Sequence, residues 1–154
     1  MDVVQDTSTD DPNNVAERSI VVAGDGIDRD EVKFRPGSLM VDFGAGDAIH
    51  FQGLDRGNPA NTPLVGEIRF SDGRSMTYAD ILAQGFDVDG SEANDDGTAD
   101  HPQLVGTGIT DRIRGYGGDD LLFGLAGDDA LDGGAGADRI VGGAGADSIG
   151  GGEG

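Results

Sequence analysis

The amino-acid sequence predicts an all-β protein made of two parts, and three observations support this fold class. Residues 106–154 repeat with a period of nine and are rich in glycine, a combination that no helix accommodates. The preceding residues show short runs of alternating apolar and polar side chains separated by turn signals. Of the 30 acidic residues 25 are Asp, which favours turns and disfavours helices. We therefore expect a small β-rich flanking region with one short helix, followed by repetitive β-structure.

The repeat is visible when residues 106–154 are written in nines, as GTGITDRIR, GYGGDDLLF, GLAGDDALD, GGAGADRIV and GGAGADSIG, followed by GGEG. The first position is always Gly, and the fourth is Gly except at Ile109. The sixth position is always Asp, and the eighth is always Ile or Leu. This pattern, G-G-x-G-x-D-x-U-x with U a large apolar residue, indicates a parallel β-helix that binds Ca²⁺.

Each column of the repeat has a physical role. The eighth residue faces the core from a very short strand, and neighbouring turns must stack because one turn cannot bury a single side chain. The glycines permit positive φ and allow backbone carbonyls to approach an ion. The Asp carboxylates and these carbonyls supply the oxygen ligands that Ca²⁺ requires. A flexible Gly/Asp-rich linker would explain the composition but not the apolar eighth position.

These nonapeptides resemble those of the RTX (repeat-in-toxin, haemolysin-type calcium-binding) family. The resemblance implies a calcium-binding parallel β-roll in which each nonapeptide forms half a coil, so that the Asp residues on one side are two repeats apart. We therefore expect calcium sites between Asp111 and Asp129, between Asp129 and Asp147, and between Asp120 and Asp138.

The family also uses backbone carbonyls of the first and third repeat positions, and the resemblance implies the same here. In this sequence those positions are Gly115 and Gly117, Gly124 and Ala126, Gly133 and Ala135, and Gly142 and Ala144. About three or more ions are expected. The Asp111 site departs most from the family pattern, because Ile109 replaces the fourth-position glycine of its repeat.

The first part of the chain is predicted to form strands within residues 18–24, 31–44, 47–54 and 66–77. A helix is expected over YADILAQ, with Thr77 and Asp80 as a capping box and Gly85 ending it. Residues 18–85 resemble the haemolysin-type calcium-binding related region, which implies a region that caps or nucleates the roll. The predicted domains are thus a flanking region over 1–86, an acidic linker over 87–105 and the repeats over 106–154.

The acidic linker contains a second candidate metal site. Its residues Glu92, Asn94, Asp96, Gly97 and Asp100 resemble the start of an EF-hand-type calcium loop, in which alternate side chains converge on one ion. Glu replaces the usual first Asp, and the bidentate Glu that closes such loops is absent. Asn94, Asp96 and Asp100 are therefore candidate ligands, and a solvated acidic linker is the alternative.

Composition excludes several classes of function. The net charge of −20 disfavours binding to nucleic acid or to anionic membrane surfaces, and no apolar run is long enough to span a membrane. The chain contains no HExxH, GxSxG or Walker A motif. Its two histidines, His50 and His101, stand alone in the sequence and belong to no catalytic motif. We expect no enzymatic activity in this chain.

The expected function is that of a calcium-binding RTX segment of a larger protein, secreted by a type I system of a Gram-negative bacterium and folding on Ca²⁺ binding outside the cell. The opening DVVQD resembles the end of a nonapeptide, with Asp2 and Val4 in register, so the chain is expected to come from a longer repeat-bearing protein. Asp11-Pro12 is either a plain turn or a calcium-dependent cleavage site. The alternatives are an adhesin-type ligand- or glycan-binding domain, or the non-catalytic tail of a secreted protease, lipase or epimerase.

Overall fold

The computed structural model describes residues 20–35, 39–43, 48–51, 54–61, 63 and 65–154. The chain forms two compact units, the first containing residues 1–55 and 60–84 and the second containing residues 56–59 and 85–154. The predictions for Asp2, Val4 and Asp11-Pro12 lie outside the described residues. Within the described part the longest helix has seven residues, and no helix there has the length and hydropathy of a membrane span.

The first unit contains two small sheets. Strands β2 (Lys33–Arg35), β3 (Leu39–Asp42) and β4 (Ala48–Phe51) form an antiparallel sheet in that order. Strand β1 (Ile20–Val22) pairs in parallel with β5 (Glu67–Arg69), which pairs antiparallel with β6 (Ser75–Thr77). The strands bury alternate apolar side chains, including Val21, Phe34, Val41, Ile68 and Met76.

Helix α1 (Tyr78–Gln84) lies where the capping signals predict it. The backbone N–H of Thr77 donates to the Asp80 carboxylate at 2.8 Å, and the backbone N–H of Asp80 donates to the Thr77 hydroxyl at 3.3 Å. Gly85 follows the helix with a φ of 77°, a left-handed conformation that glycine adopts without strain. The short helix expected from the sequence is therefore present, with a reciprocal capping box at its start.

The second unit contains two parallel sheets. One has the strand order β13 (Ser148–Gly150), β11 (Ala130–Asp132), β9 (Asp111–Arg114) and β7 (Phe86–Asp89). The other has the order β12 (Arg139–Ala144), β10 (Leu121–Ala126) and β8 (Leu104–Val105). Strands that follow each other in the sequence alternate between the two sheets. Successive nonapeptides therefore contribute their strands alternately to the two sheets.

Strand pairing in this unit has a regular register. Leu131 pairs with Ile113 and Leu122 pairs with Ile140, in each case 18 residues apart. The eighth-position side chains form one buried cluster of Leu104, Ile113, Leu122 and Leu131, with Val88 and Ile140 packed against it. Ile149, in the last strand, remains 53% exposed. The structure thus places the eighth column in the core, as the repeat predicts, except at Ile149 in the last turn.

The region predicted as an acidic linker, 87–105, is part of this second unit. Strand β7 pairs with β9 and strand β8 pairs with β10, so the parallel sheets begin at Phe86 rather than at residue 106. The β7 to β9 register is 25 residues instead of 18, which corresponds to a seven-residue insertion in this coil. The linker prediction missed these strands because the insertion breaks the nine-residue period before Leu104.

Candidate metal centre

The sixth-position aspartates form a ladder of hydrogen bonds across neighbouring turns. The backbone N–H of Asp111 donates to Oδ1 of Asp129 at 2.8 Å. The backbone N–H of Asp129 donates to Oδ1 of Asp147 at 3.1 Å, and that of Asp120 donates to Oδ1 of Asp138 at 3.1 Å. The structure therefore brings together the three aspartate pairs that the 18-residue spacing predicts.

In three of these aspartates the second carboxylate oxygen, Oδ2, has no hydrogen-bond partner. Oδ2 of Asp120, of Asp129 and of Asp138 is buried and has no hydrogen-bond partner. Burial of a carboxylate oxygen without a partner is costly unless a positive charge compensates it. These three oxygens are consequently the strongest indication of a cation in the described part of the chain.

At the first-position glycines Gly115 and Gly124, a backbone carbonyl of the next turn lies beside two of these oxygens, Oδ2 of Asp120 and of Asp129. A Cβ on Gly124 would collide with Oδ2 of Asp129 and with the carbonyl oxygen of Gly142, so both oxygens face the same small space. Only glycine leaves that space free. The corresponding group around Gly115 consists of Oδ2 of Asp120 and the carbonyl oxygen of Gly133.

The third-position carbonyls already take part in the hydrogen bonding between turns. The carbonyl of Ala135 accepts a hydrogen bond from the N–H of Gly118 at 2.9 Å, and that of Ala144 accepts one from Gly127 at 2.8 Å. Gly117 and Ala126 pair in parallel with Ala135 and Ala144, respectively. Each carbonyl oxygen retains a second lone pair, so these bonds leave room for metal ligation.

Burial and mutual repulsion raise the pKa of these carboxylates. The pKa of Asp111 is raised from 3.8 to about 6, chiefly by burial; the hydrogen bonds from Thr107 oppose this rise, and the charge of Asp129 adds to it. The pKa values of Asp120 and Asp129 are also raised, first by burial and then by neighbouring carboxylates such as Asp138 and Asp147. A cation between the turns would offset both effects on Asp120 and Asp129, because a nearby positive charge favours the ionised carboxylate.

The fifth-position aspartates accept backbone hydrogen bonds, a role that the sequence analysis did not predict. Oδ1 of Asp119 accepts the backbone N–H of Ala137 at 2.8 Å, and Oδ1 of Asp128 accepts that of Ala146 at 2.8 Å. These side chains are exposed, and each caps a backbone N–H of the next turn in its stack. The paired acids 119/120 and 128/129 thus combine one capping carboxylate with one inward-facing carboxylate.

The region predicted as an acidic linker contains a further turn of the same kind, over residues 90–95, with the sequence GSEAND. Asp95 is 4% exposed, and its backbone N–H donates to Oδ1 of Asp120 at 2.7 Å, as the sixth-position aspartates do to one another. Oδ1 of Asn94 accepts the N–H of Asp119 at 2.9 Å, in the manner of a fifth-position side chain. Asp95 is a site residue that the sequence analysis missed, although Gly90 and Asp95 hold the first and sixth positions of a repeat.

This geometry differs from the EF-hand-type loop predicted for the same segment. Asn94 lies in the turn stack, and Oδ1 of Asp96 accepts the N–H of Thr98 at 3.1 Å on the surface. Asp96 and Asp100 are exposed, and the structure does not gather the acidic side chains of this loop into one cluster. The physical reason is that the backbone follows the stacked turns, which points Asp95 inward in place of Asp96.

Comparison with known families identifies the repeats. A family model described as the RTX calcium-binding nonapeptide repeat (4 copies) matches residues 105–140 and 127–154. Residues 105–154 carry the RTX calcium-binding nonapeptide repeat. The match does not extend to residues 18–85, whose resemblance to the haemolysin-type related region stays a prediction. No curated protein and no solved structure matches the chain.

RTX nonapeptide repeats bind Ca²⁺, and the residues of this chain fit that ion. Within the described residues no three acidic or histidine side chains form a cluster of the kind that holds a metal by side chains alone. The open carboxylate oxygens instead face first-position backbone carbonyls. Ca²⁺ accepts such mixed sets of hard oxygens, whereas zinc and copper favour nitrogen or sulfur ligands.

Proposed function

We propose that residues 86–154 form a parallel β-roll whose later turns, over residues 115–154, bind calcium and fold when Ca²⁺ enters them. The observation that carries the proposal is the set of three buried, unpartnered oxygens on Asp120, Asp129 and Asp138. The alternation of strands between two parallel sheets and the 18-residue register support the roll geometry.

The protein residues would hold the ion through two kinds of oxygen. Oδ2 of Asp120 with the carbonyl of Gly133 would form one site, and Oδ2 of Asp129 with the carbonyl of Gly142 would form another. Oδ2 of Asp138 marks a third site. When bound, Ca²⁺ supplies the positive charge that compensates these buried carboxylates. Without it the aspartates of each stack repel one another at neutral pH, and the small apolar core does not offset that repulsion.

Folding that depends on Ca²⁺ suits a secreted protein. RTX repeats are typical of secreted bacterial proteins. Extracellular calcium modules bind with a Kd of roughly 10⁻⁴–10⁻³ M, so the sites would be empty in the cytosol and filled outside. We propose that the chain is a non-catalytic segment of a larger protein, exported unfolded by a type I system and folded by external Ca²⁺.

The test is a calcium titration of the full chain followed by far-UV circular dichroism and by isothermal titration calorimetry. Strand signal should increase with Ca²⁺ and fall again with a chelator, and Mg²⁺ at the same concentration should not replace it. Asp129→Asn should remove one bound ion. Asp132→Asn, an exposed position three residues away with the same charge change, is the matched control and should bind as the wild type. A spectrum unchanged by Ca²⁺ would refute the proposal.

A further inference from the structure

In two of the stacked turns, Oδ2 of the aspartate accepts hydrogen bonds from the protein itself. In the turn over residues 106–111, Oδ2 of Asp111 accepts the backbone N–H of Thr107 at 2.6 Å and the Thr107 hydroxyl at 3.0 Å. Both residues are 0% exposed. In the turn over residues 90–95, Oδ2 of Asp95 accepts the backbone N–H of Ser91 at 2.8 Å.

The carboxylates of the later turns differ in this respect. Oδ2 of Asp120, of Asp129 and of Asp138 has no hydrogen-bond partner, although each faces the same kind of space beside a first-position glycine. Five turns are compared, those that contain Asp95, Asp111, Asp120, Asp129 and Asp138. The backbone N–H of the second position donates to Oδ2 of the carboxylate only in the turns of Asp95 and Asp111.

The backbone at the second position explains the difference. It is left-handed in the later turns, with φ of 73° at Tyr116, 81° at Leu125, 95° at Gly134 and 116° at Gly143. Ser91 and Thr107 are not among the residues with positive φ in the described part of the chain. A β-branched Thr strongly disfavours positive φ, so Thr107 keeps its N–H and hydroxyl directed at Asp111.

The same part of the unit has further metal-independent links. Arg112 forms a two-point ion pair with Asp87, at 2.8 Å and 3.0 Å, and so joins β9 to β7. Arg114 pairs with Asp89 at 3.2 Å across the same two strands. Such bidentate arginine–carboxylate pairs hold the strands in register without an ion between the turns.

The carbonyl of Arg56 adds one more link by accepting the N–H of Gly108 at 2.7 Å. The guanidinium of Arg56 donates to the carbonyl of Val105 at 3.1 Å. The segment of residues 56–59 therefore lies against the turn over residues 106–111.

We propose that the turns over residues 90–95 and 106–111 take no calcium, and that Phe86–Arg114 forms a calcium-independent first coil on which the calcium-dependent turns of residues 115–154 assemble. This inference rests on the proposed function for the later turns. It removes the predicted site between Asp111 and Asp129 from the set of calcium sites, because Thr107 occupies the coordination space of Asp111 with its own donors.

The first test is the number of bound ions measured by isothermal titration calorimetry on the full chain. Asp111→Asn should bind as many ions as the wild type, with a midpoint within about twofold, because an amide oxygen can still accept from Thr107. Asp129→Asn should bind one ion fewer. Loss of an ion in Asp111→Asn would overturn the inference and leave the proposed function standing, whereas absence of calcium binding in the wild type would refute the proposed function itself.

The second test adds a site. The double change Thr107→Gly and Ile109→Gly restores the family pattern and permits positive φ, so it should increase the ion count by one. Thr107→Ala removes the hydroxyl but not the N–H and should leave the count unchanged. An unchanged count in the double variant, if it folds with calcium, would contradict the explanation based on the second position.

Amide hydrogen exchange in a chelator provides a readout that does not depend on stoichiometry. Amides of residues 86–114 should exchange at least tenfold more slowly than those of residues 115–154. Equal and rapid exchange along the whole unit would overturn the idea of a calcium-independent first coil.

Discussion

Replacement of Leu122 by Ala would show how strongly the repeat core and the calcium sites are coupled. Leu122 is 0% exposed and packs in the cluster formed by Leu104, Ile113 and Leu131. A Leu→Ala change at such a site costs about 2–5 kcal/mol. If three ions bind on folding, a tenfold rise in free Ca²⁺ adds about 4 kcal/mol to the folded state. A loss of about 3 kcal/mol therefore requires roughly fivefold more Ca²⁺ to reach the folding midpoint.

The assay is a calcium titration followed by far-UV circular dichroism at constant ionic strength. Leu125→Ala is the matched control, since Leu125 lies in the same strand but is 42% exposed, and its midpoint should stay within about twofold of the wild type. A Leu122→Ala midpoint equal to that of the wild type would refute the reasoning. An equal shift in both variants would show that the eighth position has no special role in the core.

Three further predictions follow from the turns. Because burial raises the pKa of Asp111 to about 6, the metal-free folded state holds a proton that the unfolded chain releases near pH 4. Its stabilising contribution is complete below that pH and is lost as the pH rises through about 6, so the metal-free protein should show more strand signal at pH 5 than at pH 7.5, and Asp111→Asn should reduce the difference. Gly145→Ala should raise the calcium midpoint strongly, because Gly145 has a φ of 139° and an added Cβ would strike the carbonyl of Gly127, whereas Gly151→Ala, with no atom within 4 Å of the new Cβ, should not. Asp119→Ala should lower stability by about 1 kcal/mol through the lost cap, with an unchanged ion count in calorimetry; loss of an ion would show that Asp119 is a ligand.

Local signals predicted much of this structure correctly. The capping box of Thr77 and Asp80 and the glycine at position 85 defined the helix to the residue. Such signals work because they depend on backbone groups only a few residues apart. The resemblance to RTX repeats also implied the 18-residue pairing of Asp129 with Asp111, because each nonapeptide of that family forms half a coil.

The sequence was less informative where the period fails. Because the seven-residue insertion breaks the period, the sequence did not predict β7 or the turn that ends at Asp95. The same segment was therefore interpreted as an EF-hand-type loop with Asn94, Asp96 and Asp100 as ligands. Once neighbouring coils stack, hydrogen bonds between turns decide which acidic side chain faces inward. Alternation of acidic residues along the chain could not predict that outcome, because Asp120, which accepts the backbone N–H of Asp95, lies 25 residues away.

By itself, the sequence determined the repeat, its period, its core column and its preference for calcium, because these follow from the side-chain type at each fixed position of a nine-residue unit. Only the tertiary structure decided where the parallel sheets begin and which carboxylate oxygens remain open. Asp111 and Asp129 occupy the same position of the repeat, yet Thr107 satisfies one oxygen of Asp111, and the equivalent oxygen of Asp129 has no partner. That difference depends on the backbone conformation at the second position, which is set where the turns pack against each other.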